Sequence, residues 1–523
     1  MASGSRIEAL TTLLPDHWEI FAFGALVTYA SLRFIYLSYF HPASRFPGPK
    51  LAAVSNLWYA YQRLTRRYPW AVEKALRKYG DVVRVAPNEL VFITPQAASD
   101  IYTKHTRNQE HFTKVDIAIG FADDGITWEK DAAKHRKLAK DISPSFSVKA
   151  LNALEPTMHK NIDAFIQRMK EVGGTDRGIE LKTWTDWVAM DMSAELTLSR
   201  QLNQVRDMRS APLLTIFWAF NFFVTVNQVF KKFPLLSPLK WAFLPFSALF
   251  SRSQIERVNR EALEARIESR SQTRNLDHFE QLLPADAPVP TEREKLHLEI
   301  IVSQLFLGGY EPVASQLQGV IMFTLLEPET LKILADEIRG TFVSYDEITP
   351  DSLASLRYLN AVLMETMRLT VSVATGLARC SPGSEVDGNF IGKGIIVQHA
   401  HYAFTRSPRY FHDPNKFRPQ RWLPVDDEKW DPAFRNDATD SFFPFGHGPR
   451  ACIGQAQAWR QMRLFVAKVL WALDVEMVPN QDINFERDFR LFAMWEKPKF
   501  WVRFHEEASE DDNAVPKHTY LGF

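Results

Sequence analysis

Apolar and polar positions change rhythm several times along the chain. From Ile20 to Phe40 there is hardly any alternation: "IFAFGALVTYASLRFIYLSYF" carries a single charge, Arg33, in 21 residues. That length matches the roughly 20 residues an α-helix needs to cross a bilayer. Trp18, Tyr36 and Tyr39 suit the two interfaces, and Arg33 lies close enough to the end to extend its guanidinium toward headgroups. The pattern predicts a transmembrane helix over 20–40 after a short tail, 1–19, and then a stiff connector over 41–50, "HPASRFPGPK", whose prolines cannot continue a helix. Between Asp81 and Thr94, β-branched residues flank Pro87-Asn88 and predict a hairpin. Beyond it the helical period dominates. Helices are predicted over Pro156–Val172, Ser251–Ser271, Glu292–Leu326, Pro328–Thr341, Pro350–Leu369 and Gly454–Leu473. Strand signals return over Gly394–Phe404 and in "NFERDFRLFAMWEKPKFWVRF" near the C-terminus. The sum is a mainly α, α+β domain over 51–505, with an acidic tail over 506–523.

Composition sharpens this picture at a few points. Hydrophobic residues make up 46% of 523 and Phe alone numbers 38, enough for a large core and an enclosed apolar ligand. Lys plus Arg equals Asp plus Glu at 62 each, which removes the net positive field of a nucleic-acid binder. Only Cys380 and Cys452 are present, too few for a disulfide framework or an ordinary zinc site. Arg45, Lys50, Arg63, Arg66 and Arg67 follow the apolar helix, against Arg6 before it, so positive-inside bias puts the domain on the cytosolic side of the membrane and the tail in the lumen.

The densest chemistry lies in "FFPFGHGPRACIGQAQAWRQMRL", Phe442 to Leu464. Gly446, Gly448 and Gly454 permit close approaches that side chains forbid, and Pro444 and Pro449 stiffen the loop. Cys452 precedes the predicted helix, whose N-terminal dipole favours thiolate, the form a metal binds. Arg450 adds a cation suited to a nearby carboxylate. These features favour a metal or cofactor site over a merely buried cysteine.

The run Phe445-x-x-Gly448-x-Arg450-x-Cys452-x-Gly454 resembles the heme-binding signature of the cytochrome P450 family. Glu365 and Arg368, three apart in "LRYLNAVLMETMRL", resemble its Glu-x-x-Arg helix, and Arg421 in "FRPQRW" resembles the arginine that pairs with it. The likeness runs from the anchor and "FPGPK" to the last strands, in the style of membrane-bound fungal members, and it implies the cytochrome P450 fold: a helix-rich domain with small sheets enclosing heme b (iron protoporphyrin IX). It implies Cys452 as axial iron ligand and Glu365, Arg368 and Arg421 as a structural ion-pair network. Thiolate donation that favours O–O cleavage is a known property of the family, not something these residues establish. Arg450 matches a propionate-binding position, as does Arg379 in "GLARCSP". His135 resembles the propionate position of an early helix; the arginine often found four residues on is Ala139 here, leaving Lys137 or Lys140 to supply the charge.

On the oxygen side, "SQLFLGGYEPVASQL" resembles the family's long distal helix. Gly308 and Gly309 would let it pass close to heme, and Glu311 matches the acid of an acid–alcohol pair. The alcohol is missing. Pro312 stands where threonine is usual, and its lost N–H predicts a helix opened locally at Gly308. Protons then come through water, Glu311 or a substrate hydroxyl. Hydroxylation by a rerouted relay, desaturation or coupling, loss of oxygen activation, and a mere kink all remain open. Leu214 to Phe250, dense in aromatics, falls in the lid region and meets either bilayer or core; the small residues from Thr370 to Ala378 leave room at the heme edge. Lys134, Arg136, Lys137, Lys140, Arg460 and Arg463 are candidates for a basic face toward a reductase. The resemblance implies an endoplasmic-reticulum heme-thiolate monooxygenase that oxidises a lipophilic secondary-metabolite intermediate with O2, taking electrons from NADPH through a separate NADPH-cytochrome P450 reductase. The rivals are an oxygen-independent isomerase or dehydratase and a non-catalytic heme-binding scaffold.

Overall fold

The structure, a computed structural model, describes residues 18–103, 112–116, 123–243, 257, 260–270 and 277–506. Its N-terminal helix α1 spans Trp18–Ile35 and continues as one π-helical turn over Tyr36–Phe40, starting two residues before the predicted bound. None of the α1 side chains is buried, and the 23-residue stretch is long and apolar enough to cross a membrane. The junction with the domain is tied by Arg84. This buried guanidinium donates to the carbonyl of Leu37 at 2.9 Å and to that of Pro87 at 2.7 Å, and its Nη2 lies 3.4 Å from His41 Nδ1.

The helices that frame the domain are α2 (Ala132–Ile142), α3 (Val148–Val172), α4 (Leu181–Leu198), α5 (Pro212–Lys231), α6 (Glu292–Leu326), α7 (Pro328–Thr341), α8 (Arg357–Leu369) and α9 (Gln455–Ala472). The axis is α6, which packs along α4 and against α8 and α9. It starts where the sequence predicts, at a capping box: Thr291 Oγ1 accepts from the Glu294 amide while Glu294 Oε2 accepts from the Thr291 amide. From Val313 to Leu325 every residue is buried, so this half enters the core on all sides.

Among the described residues, four small sheets lie around the helices. The predicted hairpin forms from Val82–Ala86 and Glu89–Phe92, and the second strand runs parallel to Ile396–His399. That strand pairs antiparallel with Arg379–Cys380, which pairs in turn with Thr113–Lys114, setting Lys114 opposite Arg379. A second sheet joins Ile179–Glu180, Trp501–Glu506 and Leu473–Met477.

Several predicted bounds change. Helix α3 begins at Val148 because Ser147 caps it, accepting from the Ala150 amide at 3.3 Å, so Pro156 lies inside the helix. The segment predicted over Pro350–Leu369 divides into a 3₁₀ turn, Ser352–Ser355, and α8, because Leu356 between them is extended (φ −69°, ψ 106°). The strand predicted over Gly394–Phe404 keeps only Ile396–His399 and gives way to a short helix, His401–Thr405, after Ala400. Only part of Ser251–Ser271 lies within the described residues, and 260–268 is helical. The tails 1–17 and 507–523 lie outside them.

Candidate functional site

The loop before α9 holds its cysteine by backbone bonds. Phe445 O accepts from the Cys452 amide at 2.8 Å, Phe443 O from Gly446 at 3.0 Å and Gly448 O from Ala451 at 3.0 Å. Gly446 and Gly448 both sit at φ 77°, and a Cβ on Gly448 would come within 2.2 Å of the Tyr102 carbonyl, so a side chain is excluded there. Gly454 has an ordinary φ of −87°; a Cβ on it would stand 3.9 Å from the Cys452 sulfur. The Phe445 ring leans on Trp459 of α9, centroids 6.2 Å apart. Cys452 itself is exposed, yet surrounding protein desolvates it enough to raise its pKa, and the Gly454 amide only partly offsets this. Desolvation by the surrounding protein therefore outweighs the expected helix-dipole effect. Coordination to a cation is what removes such a proton.

Three basic side chains and an uncharged histidine converge beside this loop. Arg450 donates to the carbonyls of Glu129 (2.7 Å) and Lys130 (2.9 Å), just before α2. Arg379 is buried against the Tyr102 ring and donates to the Ala378 carbonyl at 3.1 Å. His135, buried on α2, is held down to about 4 by burial, with Arg450, Lys114 and Arg379 adding repulsion. Lys114 falls to about 7 through burial and the charges of Arg450 and Arg379, which outweigh the attraction of Glu129. Like charges facing one another across a strand pair are destabilising unless an anion is shared. A heme with two carboxylate side arms fits these residues: a thiol on a glycine-rich loop and a group of cations set against one another. The sequence did not reveal Lys114. The predicted substitutes, Lys137 and Lys140, are both exposed on α2, whereas Lys114 is brought in by strand register.

Glu365, Arg368 and Arg421 form one ion-paired cluster with fully buried side chains. Arg368 makes two bonds to the Glu365 carboxylate, both 2.8 Å, and Arg421 Nε donates to Glu365 Oε1 at 3.1 Å. Trp422 Nε1 donates to Glu365 Oε2 at 2.9 Å, and Arg421 also pairs with Asp437; neither partner was predicted. Burial pushes the Glu365 carboxyl up, but Arg368 and Arg421 outweigh it and hold it below its usual range. Arg368 also donates to the carbonyls of Thr405, Pro414 and Lys416, so the network staples α8 to the loops leading to Cys452.

On α6, Gly308 has open space where a Cβ would stand, whereas Gly309 packs against Ser193 of α4, where a Cβ would come within 2.8 Å of its hydroxyl. The expected opening at Gly308 does not form: α6 runs without interruption through Pro312, gripped by its buried C-terminal half. Pro312 still offers no N–H to the Gly308 carbonyl. Glu311 is buried, and its Oε1 accepts from Ser315 Oγ at 2.9 Å. Burial raises its pKa, with Lys497 the main opposing charge.

Around the site, Arg460 is engaged by Glu155 and Asp351, and Arg463 by Asn360, while Lys134, Arg136, Lys137 and Lys140 on α2 are exposed. The aromatic stretch divides: α5 buries Leu214, Phe223, Val226 and Val229, whereas the following turn, Pro234–Phe243, exposes Leu235, Leu239 and Trp241. Residues 244–250 lie outside the described residues.

The cytochrome P450 family profile matches residues 47–502. The chain is 47% identical over 479 residues to cytochrome P450 monooxygenase TwmD of Talaromyces wortmannii, covering 91% of this chain and 94% of the relative. It is 34% identical to cytochrome P450 monooxygenase poxC of Penicillium oxalicum, covering 96% and 98%, and 31% identical to cytochrome P450 monooxygenase BOA3 of Botryotinia fuckeliana, covering 93% and 96%.

Proposed function

The chain belongs to the cytochrome P450 family, and from that premise we propose that it is a membrane-anchored heme-thiolate monooxygenase acting on a lipophilic secondary-metabolite intermediate. The observation that carries the reading is the meeting of the Cys452 loop with Lys114, His135, Arg379 and Arg450. Bound there, heme supplies the oxygen-activating iron. Cys452 would hold it from the glycine-rich loop. Arg379, Arg450 and Lys114 would pair with its carboxylates by charge-assisted hydrogen bonds, and His135, uncharged, would donate a hydrogen bond from a ring nitrogen. Gly308 leaves open space beside α6 that would admit oxygen and substrate. Glu311, its pKa raised by burial, would pass protons to that space. The exposed apolar turn over 234–243 and α1 favour entry of an apolar substrate from the bilayer, and the exposed lysines of α2 suit an acidic reductase.

The decisive experiment has two stages. Reduced holoprotein treated with carbon monoxide gives the thiolate-type Soret shift, and Cys452→Ala abolishes it; a shift that survives the substitution removes the site. Product formation then requires oxygen, NADPH and the reductase. Turnover without them would instead identify an isomerase or dehydratase.

A further inference from the structure

A second polar cluster lies buried behind α6, on residues with no part in holding heme. Lys497, 3% exposed, donates to Ser315 Oγ at 3.3 Å, and Ser315 Oγ donates to Glu311 Oε1 at 2.9 Å. Lys497 Nζ lies 3.7 Å from Asp186 Oδ1, and the other oxygen of Asp186 accepts from Lys182 at 2.7 Å. Lys182 is half-buried, at the end of this line nearest solvent. Tyr310 OH, Trp218 Nε1 and Asp186 Oδ1 are buried beside one another, Tyr310 facing both Asp186 and Trp218. Trp218 also receives the cations of Lys182, 4.3 Å from its ring, and Lys497, at 5.9 Å. The charged and titratable groups facing Glu311 are thus Lys497 from the segment before the last strand, Asp186 and Lys182 from α4, and Tyr310 beside it on α6.

We propose that Lys497, acting through the Ser315 hydroxyl, recharges Glu311 with protons, and that Lys182 and Asp186 resupply Lys497 from solvent. The Lys497 ammonium passes a proton to Ser315 Oγ while the Ser315 hydroxyl proton passes to Glu311 Oε1. Lys497 is left neutral, Glu311 becomes the neutral acid, and Ser315 is unchanged. Lys182 and Asp186 return a proton from solvent to Lys497, and no electron moves. The hydroxyl missing at Pro312 is thereby replaced one turn later on the same helix, on its core side. Burial makes the exchange accessible, since it disfavours both charged forms, raising the Glu311 pKa and lowering that of Lys497. Lys497 and Ser315 are positioning and supply residues; the inference rests on the oxygen-side role proposed for Glu311.

The test uses full-length holoprotein and time-resolved infrared spectroscopy after a flash-released proton pulse. The carboxylic-acid band of Glu311 is assigned by its loss in Glu311→Gln. Lys497→Arg keeps the charge but cannot release a proton at working pH. If Lys497 is the donor, Lys497→Arg and Ser315→Ala each slow the rise of the Glu311 band by at least about tenfold, in line with the contribution of a positioned proton donor, while the carbon monoxide spectrum stays that of the parent. A parent-like rate in Lys497→Arg reduces Lys497 to a mere counter-charge and overturns the proposal, as does a parent-like rate in Ser315→Ala. The readout does not depend on turnover. Absence of NADPH-driven oxidation by the parent protein would sink the monooxygenase reading and leave the band kinetics to be judged alone.

Discussion

Lys114 titrates near 7 in the folded chain against 10.5 in the unfolded one, so the unfolded chain binds more protons between these values. Heme-free protein therefore loses stability as pH falls from 10.5 toward 7. Bound carboxylates lift the folded value, and heme uptake near neutral pH should take up protons, seen in calorimetry as a binding heat that varies with the buffer. A heat independent of buffer would place Lys114 away from the heme carboxylates. Lys114→Met should speed transfer of heme to an acceptor protein by about tenfold, the worth of a charge-assisted hydrogen bond, and Lys114→Arg should restore retention. Glu365→Ala leaves Arg368 and Arg421 buried with their shared carboxylate gone. A loss of about 3–5 kcal/mol follows, measured by denaturant unfolding. The network's pH dependence has the opposite sense to that of Lys114: Glu365 is held below its usual 4.5, so its contribution is complete above that value and is lost as pH falls through the lower folded one.

Among the elements, α6 carries the sharpest conflict between local and tertiary preference. A proline inside it withholds one backbone bond, yet the surrounding core keeps the helix continuous. Pro312→Ala should restore the bond to Gly308 and stabilise the protein by about 1–2 kcal/mol, read as a higher denaturant midpoint. Pro312→Thr should leave the product unchanged if Ser315 supplies the hydroxyl function, and a changed product would assign that function to the Pro312 position. What the sequence made legible here was local. The Cys452 loop, the Glu365–Arg368 pair and the ends of α6 and α7 are each written within a few residues. The rest depended on distant register. Lys114 meets Arg379 across a strand pair of two residues per strand, and Asp186, Ser315 and Lys497 come from three separate segments, so no spacing rule connects them. Pro156 misled because a proline suits the first helical turn, while the actual cap, Ser147, lies nine residues earlier.

At the scale of the molecule, the N-terminal helix and the domain are tied together at Arg84. Removing residues 1–35 spares the Leu37 carbonyl and His41, whereas removing 1–41 leaves buried Arg84 without them. The longer truncation should melt earlier, by a difference of about 1–3 kcal/mol, the cost of stranding a buried charged donor; equal melting of the two truncations would show the joint to be dispensable. With the N-terminal helix in a bilayer, that clasp makes the attachment a fixed strut rather than a tether. The enzyme then rides at one height and tilt, its search for an electron donor takes place in two dimensions, and inserting a flexible spacer between Phe40 and Pro42 would alter how often the two proteins collide while leaving each catalytic event as it was.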